Sequence, residues 1–203
     1  MSSEFSRCGR FVPRRTVTCR NSCCLVGERP NLIVLCGPSH CGKSTLATSL
    51  PGKVVSSDQI RSVLGLDFSR DAHLLWRVFD HSKRLAMKAG GDVILDACHM
   101  SKKARRHSVE NAHGYYKILV VFDTKPSVLL ARARKERRLP LSEVRRMVRA
   151  FDPPTLEEAA DLGFDQVQVI EEVQTHESNA HHKEVRKWMD GAEHLRGSNE
   201  GKR

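Results

Sequence analysis

The chain has 203 residues, 39% hydrophobic and only 5% aromatic, which fits one α/β domain and excludes a chain disordered throughout. No run approaches the roughly 18 apolar residues of a membrane span, so no membrane partner is expected. The formal net charge of +10 points instead to anionic partners, with nucleic acid first among them.

Residues 1–30 carry Arg7, Arg10, Arg14, Arg15, Arg20 and Arg29 against Glu4 and Glu28, with no hydrophobic period. They read as a flexible basic arm. The same Arg- and Ser-rich composition fits an organelle transit peptide or a start codon assigned too early. Cys19, Cys23 and Cys24 lie there without a CxxC pair, so a zinc site is the weaker reading. The seven cysteines are odd in number, and Cys36, Cys41 and Cys98 fall in or beside the elements that follow. That pattern predicts reduced thiols in a cytoplasmic protein, with organelle targeting left open by the arm.

From Asn31 to Ile170 short apolar runs alternate with longer helical segments. Strands are predicted over Leu32–Cys36, Lys53–Ser56, Val93–Ala97, Lys117–Phe122 and Val167–Ile170, each rich in Val, Ile or Leu. Helices are predicted over Lys43–Leu50, Gln59–Leu64, Ala72–Ala89, Lys102–Ala112, Ser127–Arg137 and Leu141–Phe151. In the third, Leu74, Leu75, Val78, Phe79, Leu85, Ala86 and Ala89 form one stripe that Gly90-Gly91 ends. Such alternation means βαβ units, a parallel sheet flanked by helices and right-handed crossovers. The domain is expected over residues 31–172. Residues 173–203 form a polar, His-rich tail, partly helical around His181–Met189 or disordered. His176, His181, His182 and His194 invite a metal reading, but a solvated, frayed helix is more economical.

Between the first strand and the first helix, Gly37-Pro38-Ser39-His40-Cys41-Gly42-Lys43-Ser44 satisfies G-x-x-x-x-G-K-[ST] at every fixed position, and Thr45 follows. Its glycines let the backbone curl so that successive N–H groups face a phosphate at a helix N-terminus. Lys43 brings a point charge to the β- and γ-phosphates, and Ser44 offers a hydroxyl to Mg²⁺. Residues 37–45 are therefore expected to bind ATP with Mg²⁺, on a P-loop NTPase-type sheet. His40 reads as loop filler within reach of a phosphate. The Cys41 thiol is expected beside the nucleotide, open to alkylation.

The second strand runs into Ser56-Ser57-Asp58, and its C-terminal end should open onto the same crevice as the loop. Asp58 is placed to accept a proton from an attacking hydroxyl, or to cap the helix from Gln59. Arg61, one turn on, is placed to hold an anionic group of the acceptor. Asp96 ends the third strand, where it would orient Mg²⁺ through water or pair with Arg61. His99 reads as a contact to acceptor or nucleotide, or as a loop histidine making one hydrogen bond. Lys102, Lys103, Arg105 and Arg106 follow, some of them only solvated.

Between Arg132 and Arg149 eight basic residues (Arg132, Arg134, Lys135, Arg137, Arg138, Arg145, Arg146, Arg149) stand against Glu136 and Glu143. They are too dense for one helix face, and two helices joined at Leu139-Pro140 carry them. A phosphate-facing, Arg-rich helical lid is the economical reading, since cations supplied on closure limit wasteful hydrolysis.

The set "GPSHCGKST", "SSDQIR", "LDACHMSKKAR" and the Arg-rich segment before "RRMVRAFDPPT" resembles the polynucleotide 5′-hydroxyl kinase family, within the AAA-type and zeta-toxin-like P-loop kinases. The likeness covers about residues 31–170. It implies ATP-dependent transfer of the γ-phosphoryl to a 5′-hydroxyl of DNA or RNA. On the D-x-x-R motif it implies Asp58 as general base and Arg61 as contact to the acceptor's phosphate. It maps the D-x-[TS]-[NH] aspartate that braces the acceptor onto Asp96, with Cys98 in place of the usual Thr and His99 last. Family spacing R-x-x-x-R makes Arg134 and Arg138 the catalytic lid arginines, with Arg132 and Arg137 as further candidates.

Two other readings stay open beside a nucleic-acid repair kinase acting on 5′-hydroxyl ends. One is a P-loop kinase of a small-molecule hydroxyl, such as an antibiotic, metabolite or nucleotide sugar. The other is a non-catalytic ATP- and nucleic-acid-binding module, against which Lys43, Ser44, Asp58 and Asp96 all argue. The polar residues after Ile170 are too few for another catalytic domain, so 3′-end processing or sealing would fall to a phosphatase or ligase partner.

Overall fold

Among the described residues five strands pair in parallel: β1 (Asn31–Cys36), β2 (Lys53–Ser56), β3 (Val93–Asp96), β4 (Tyr116–Asp123) and β5 (Gln166–Glu171). Their order across the sheet is β2-β3-β1-β4-β5. Among the described residues seven helices accompany them: α1 (Lys43–Ser49), α2 (Ser57–Leu64), α3 (Ala72–Lys88), α4 (Lys102–Val109), α5 (Pro126–Glu136), α6 (Leu141–Ala150) and α7 (Leu156–Asp161). This is the parallel α/β sheet of a P-loop NTPase-type fold. The computed structural model describes residues 29–67 and 70–171. The basic arm through residue 28, with Cys8, Cys19, Cys23 and Cys24, lies outside the described residues, as does the tail with the helix expected around His181–Met189. No helix among the described residues is long and apolar enough to cross a membrane.

The apolar runs become buried strands because both faces of the sheet are covered. Leu32, Val34 and Cys36 face one core with Phe79, Leu95, Val109 and Phe164. Ile33 and Leu35 face the other, against Leu46, Ala47, Phe122 and Leu129. Each fully buried Leu, Ile or Val side chain contributes about 1.5–3 kcal/mol, which gives β1 and β4 their central place. From β1 the chain crosses to β2 at one edge, returns through β3, and then passes over β1 to β4 on its other side. The crevice at the carboxyl ends of these strands is where such sheets hold ligands.

Two departures from the sequence reading have physical causes. The stripe on α3 is narrower than its apolar residues imply. Leu75 and Phe79 are buried, but Leu74 and Leu85 are 45% and 55% exposed. Ala89 is exposed as well. In their place Lys83 is buried at 1% exposure. Its stem packs inward, while its Nζ meets Asp80 Oδ1 at 3.0 Å and donates to the carbonyls of His107 (3.1 Å) and Glu110 (3.3 Å). The second departure is α7, too short for its period to register in the sequence. Thr155 caps it by accepting from the Glu158 amide at 3.1 Å, and Ala159 anchors it in the core.

Candidate active site

The phosphate loop leaves β1 at Gly37, whose amide donates to the Cys98 carbonyl at 2.9 Å and so ties the loop to the β3–α4 connection. A side chain at Gly37 would meet Cys41 Sγ at 3.0 Å and Phe122 Cβ at 3.1 Å. Gly42 caps α1 in the left-handed region (φ 101) and supplies no side-chain cap. The first amides of α1 are thus free of a side-chain acceptor, as an anion-binding turn requires. Lys43 is buried at 7% exposure, its Nζ donating to the Pro38 carbonyl at 2.6 Å. Burial alone would push the lysine's pKa down. Cys98, Cys41 and Asp96 outweigh it and hold the group above the usual range, so it stays cationic. The loop lines a cleft of about 650 Å³ at the carboxyl ends of the strands.

Asp96, 6% exposed, closes that cleft from β3. Its Oδ2 accepts from Ser44 Oγ at 2.8 Å and from Ser56 Oγ at 3.1 Å. These bonds set the carboxylate directly beside the loop serine. The donors assembled here are all oxygens, a hydroxyl and a carboxylate in contact, which suits a hard cation that keeps waters and phosphate oxygens as its other ligands. Magnesium therefore fits Ser44 with Asp96 behind it. Among the described residues no cluster of three His, Cys, Asp or Glu forms a dedicated metal cage. Ser56 escaped the sequence reading, though its position at a strand's carboxyl end was a signal.

Asp58 and Arg61 line the same cleft from α2. The helix cap proves to be Ser56, whose Oγ accepts from the Gln59 amide at 3.4 Å. Asp58 therefore does not serve as cap; it lies exposed in the first turn of α2 and lines the cleft. Arg61 Nη1 reaches the Asp67 carbonyl at 3.5 Å. His99 does not join them. Its backbone is left-handed (φ 41), and its ring is 4% exposed. Nδ1 donates to the Leu35 carbonyl at 2.7 Å, and the ring stands edge-on to Phe79. Burial, with Lys43 nearby, lowers its pKa to about 4, so the ring is neutral. A structural histidine replaces the expected substrate contact.

The lid reading also needs correction. Of the eight basic residues, only Arg132 and Arg138 line the cleft, with Glu136 between them. Arg134 sits two residues from Arg132 on α5, roughly 200° around the helix, and is exposed on the outer side. It flanks a shallow groove with Arg137 and Leu141. The R-x-x-x-R pair is split here, with Arg134 on the outer side and Arg138 on the cleft beyond the end of α5 at Glu136. Arg137 turns left-handed (φ 52) and redirects the chain before Arg138. On α6, Arg146 pairs with Glu143, while Val144 packs into the domain.

Cys41 and Cys36 are buried, and burial raises both thiol pKa values, that of Cys36 to about 11. Cys41 and Cys98 both line the cleft, and Cys98 is the less buried of the two. Arg105, expected among the anion-facing cations, is instead fully buried. It donates to Glu158 Oε1 (Nε, 2.9 Å), to the Asp152 carbonyl (2.9 Å) and to the His99 carbonyl (3.2 Å). It fastens the loop carrying Cys98 and His99 to the segment leading into α7.

The chain's relatives agree with this architecture. The APS kinase of Mycobacterium tuberculosis, solved with AMPPNP and APS, aligns with a TM-score of 0.57 at 18% identity, over 81% of this chain and 99% of that one. A sugar kinase from Janibacter sp. HTCC2649 aligns at 0.58 and 16% identity, over 79% and 95%. A chain of the Pnkp1/Rnl/Hen1 RNA repair complex aligns at 0.55 and 21% identity, over 62% of this chain and 45% of that one. At these identities the likeness is one of fold. No curated protein matches the sequence. Residues 32–154, from the first core residue of β1 to the turn before α7, match the AAA domain family. With its phosphate loop, buried Lys43 and Ser44–Asp96 pair on a parallel sheet of the P-loop NTPase type, the chain belongs to the AAA domain family.

Proposed function

We propose that the protein transfers the γ-phosphoryl of ATP to the 5′-hydroxyl of a polynucleotide. The observation that carries this reading is that Asp58 and Arg61 line one wall of the cleft whose floor holds Lys43 and the Ser44–Asp96 pair. Asp58 accepts the proton of the attacking hydroxyl, and Arg61 holds the acceptor's phosphate beside it. Lys43 and the loop amides hold the phosphates of ATP in line with that hydroxyl, and Arg132 and Arg138 meet the charge that spreads during transfer. Magnesium, held by Ser44 with Asp96 behind it, neutralises β- and γ-oxygens when bound. The net charge of +10 and the exposed Lys102, Lys103 and Arg106 on α4 suit a polyanionic acceptor.

A small hydroxyl compound remains the competing acceptor, because a cleft of about 650 Å³ is of the size that encloses small ligands. The deciding experiment is transfer of label from γ-labelled ATP to 5′-hydroxyl DNA and RNA oligonucleotides, with Lys43→Ala and Asp58→Asn proteins beside the wild type. Labelled oligonucleotide, lost in both variants, is the expected result and also reveals the preferred strand. ATP binding and slow hydrolysis without oligonucleotide labelling would transfer the reading to a small acceptor. A ligase or phosphatase partner would complete end repair, and co-purification with one, retained at moderate salt, is the corresponding expectation.

A further inference from the structure

His40 holds a variable position of the phosphate loop, yet it is tied to the rest of the protein at several points. Its backbone is left-handed (φ 67), a conformation that a non-glycine residue keeps only when its surroundings enforce it. Its carbonyl accepts from Arg132 Nη1 at 3.1 Å, and its Nδ1 meets Glu136 Oε2 at 3.0 Å. Both partners lie one turn apart on α5, so one loop residue fastens that helix to the phosphate site. The side chain is only 3% exposed, and Nε2 is buried with no hydrogen-bond partner, in a residue that lines the cleft.

The donor and acceptor roles follow from chemistry. A carboxylate only accepts, so Nδ1 carries the proton toward Glu136. In a neutral ring Nε2 then presents a lone pair, which an incoming polyphosphate would repel. A ring that takes a second proton donates from both nitrogens, to Glu136 on one side and to a phosphate oxygen on the other. The other charged or titratable groups lining the cleft are Lys43 and Cys41 of the loop, Asp58 and Arg61 of α2, Asp96 of β3, Cys98 beyond it, Arg132 of α5, Arg138 past its end, and Glu171 at the end of β5.

The geometry points to His40 as the residue that couples nucleotide binding to α5. Its Nε2 gains a proton from solvent and donates to the polyphosphate, while Glu136 and the His40 carbonyl hold α5 and Arg132 against the loop. This rests on reading the loop as the ATP site and is independent of what the acceptor is. Because binding takes up a proton, affinity falls as pH is raised.

The test is calorimetric titration of the full chain with a non-hydrolysable ATP analogue and Mg²⁺. Two buffers of different ionisation heat count the protons, and hydrogen exchange follows α5. Wild type, His40→Asn and Glu136→Gln are compared. Asparagine tolerates the left-handed backbone, and Glu136 is 44% exposed, so both variants should fold. Wild type is expected to take up protons and to protect α5 on binding. His40→Asn should bind about tenfold more weakly without uptake, and Glu136→Gln should show reduced uptake and weaker α5 protection. Wild-type binding with His40→Asn matched to it within about twofold, in affinity and proton count, would overturn the coupling alone. A wild type that bound no analogue would overturn the ATP-site reading beneath it.

Discussion

Replacing Glu158 by Gln should destabilise the domain far more than the same change at its neighbour Glu157. Glu158 Oε1 accepts from Arg105 Nε (2.9 Å) and pairs in charge with Nη2 at 2.8 Å, on a guanidinium with 0% side-chain exposure. The remaining carboxylate near Nη2, Asp152 at 3.6 Å, is 64% exposed and therefore contributes little. Nη1 keeps the carbonyls of Asp152 and His99 in either case. Removing the charge from the partner of a buried cation costs about 3–5 kcal/mol, and the amide oxygen of Gln recovers part of that as a neutral hydrogen bond. A loss of about 2–3 kcal/mol is the outcome expected here. Glu157 is exposed in the same first turn of α7, so both substitutions lose a similar helix-dipole contribution and their difference isolates the Arg105 pair. Urea unfolding, with the slope m held constant, measures it as a midpoint shift of about 1–2 M. A Glu158→Gln protein within about 0.5 kcal/mol of Glu157→Gln would refute the assignment of Arg105 as a buried structural hub.

The site carries further expectations. Asp58→Asn should lower the rate of transfer by about 10²–10⁴ with ATP affinity retained, and a loss below about threefold in a single-turnover assay would remove Asp58 as base. Arg132→Ala and Arg138→Ala should each weaken activity by about tenfold or more, while Arg134→Ala, on the outer face of α5, should leave initial rates within about twofold. Iodoacetamide should modify Cys98 before Cys41 or Cys36, because burial raises the two latter thiols, and ATP should protect it. Peptide mapping that found Cys41 labelled first would contradict this. His99 is held neutral with its pKa lowered to about 4 from 6.5. The unfolded chain binds this proton more readily, so stability on the order of 3 kcal/mol is present above pH 6.5 and lost as pH falls toward about 4. A His99→Gln protein should lack this part of the pH dependence in denaturant titrations, and an unchanged slope would disprove it.

Much of this molecule was determined locally, in the sequence. The apolar runs of β1, β3 and β4 are buried on both faces, and that burial needs no knowledge of partners to be anticipated. The phosphate loop was legible because its chemistry resides in consecutive residues, with glycines where a side chain would strike Cys41 and Phe122. The aspartates at the ends of β2 and β3 were legible because a parallel sheet sends those ends to one crevice. What tertiary structure alone decided concerns side chains whose role depends on distant neighbours. Arg105 and Lys83 look like surface cations until Glu158, Asp80 and the carbonyls of other elements surround them. His99 turned inward to Leu35, 64 positions away in the chain, rather than outward to a ligand. Arg132 rather than Arg134 lines the cleft because the two stand roughly 200° apart around α5, and Arg138 joins it past a left-handed residue at 137, a turn that no count of residues along an assumed continuous helix reveals. The physical reason is common to all of them. Backbone pattern follows from local periodicity and burial, whereas the destination of a long polar side chain follows from which acceptors the finished fold brings within 3 Å or so of it.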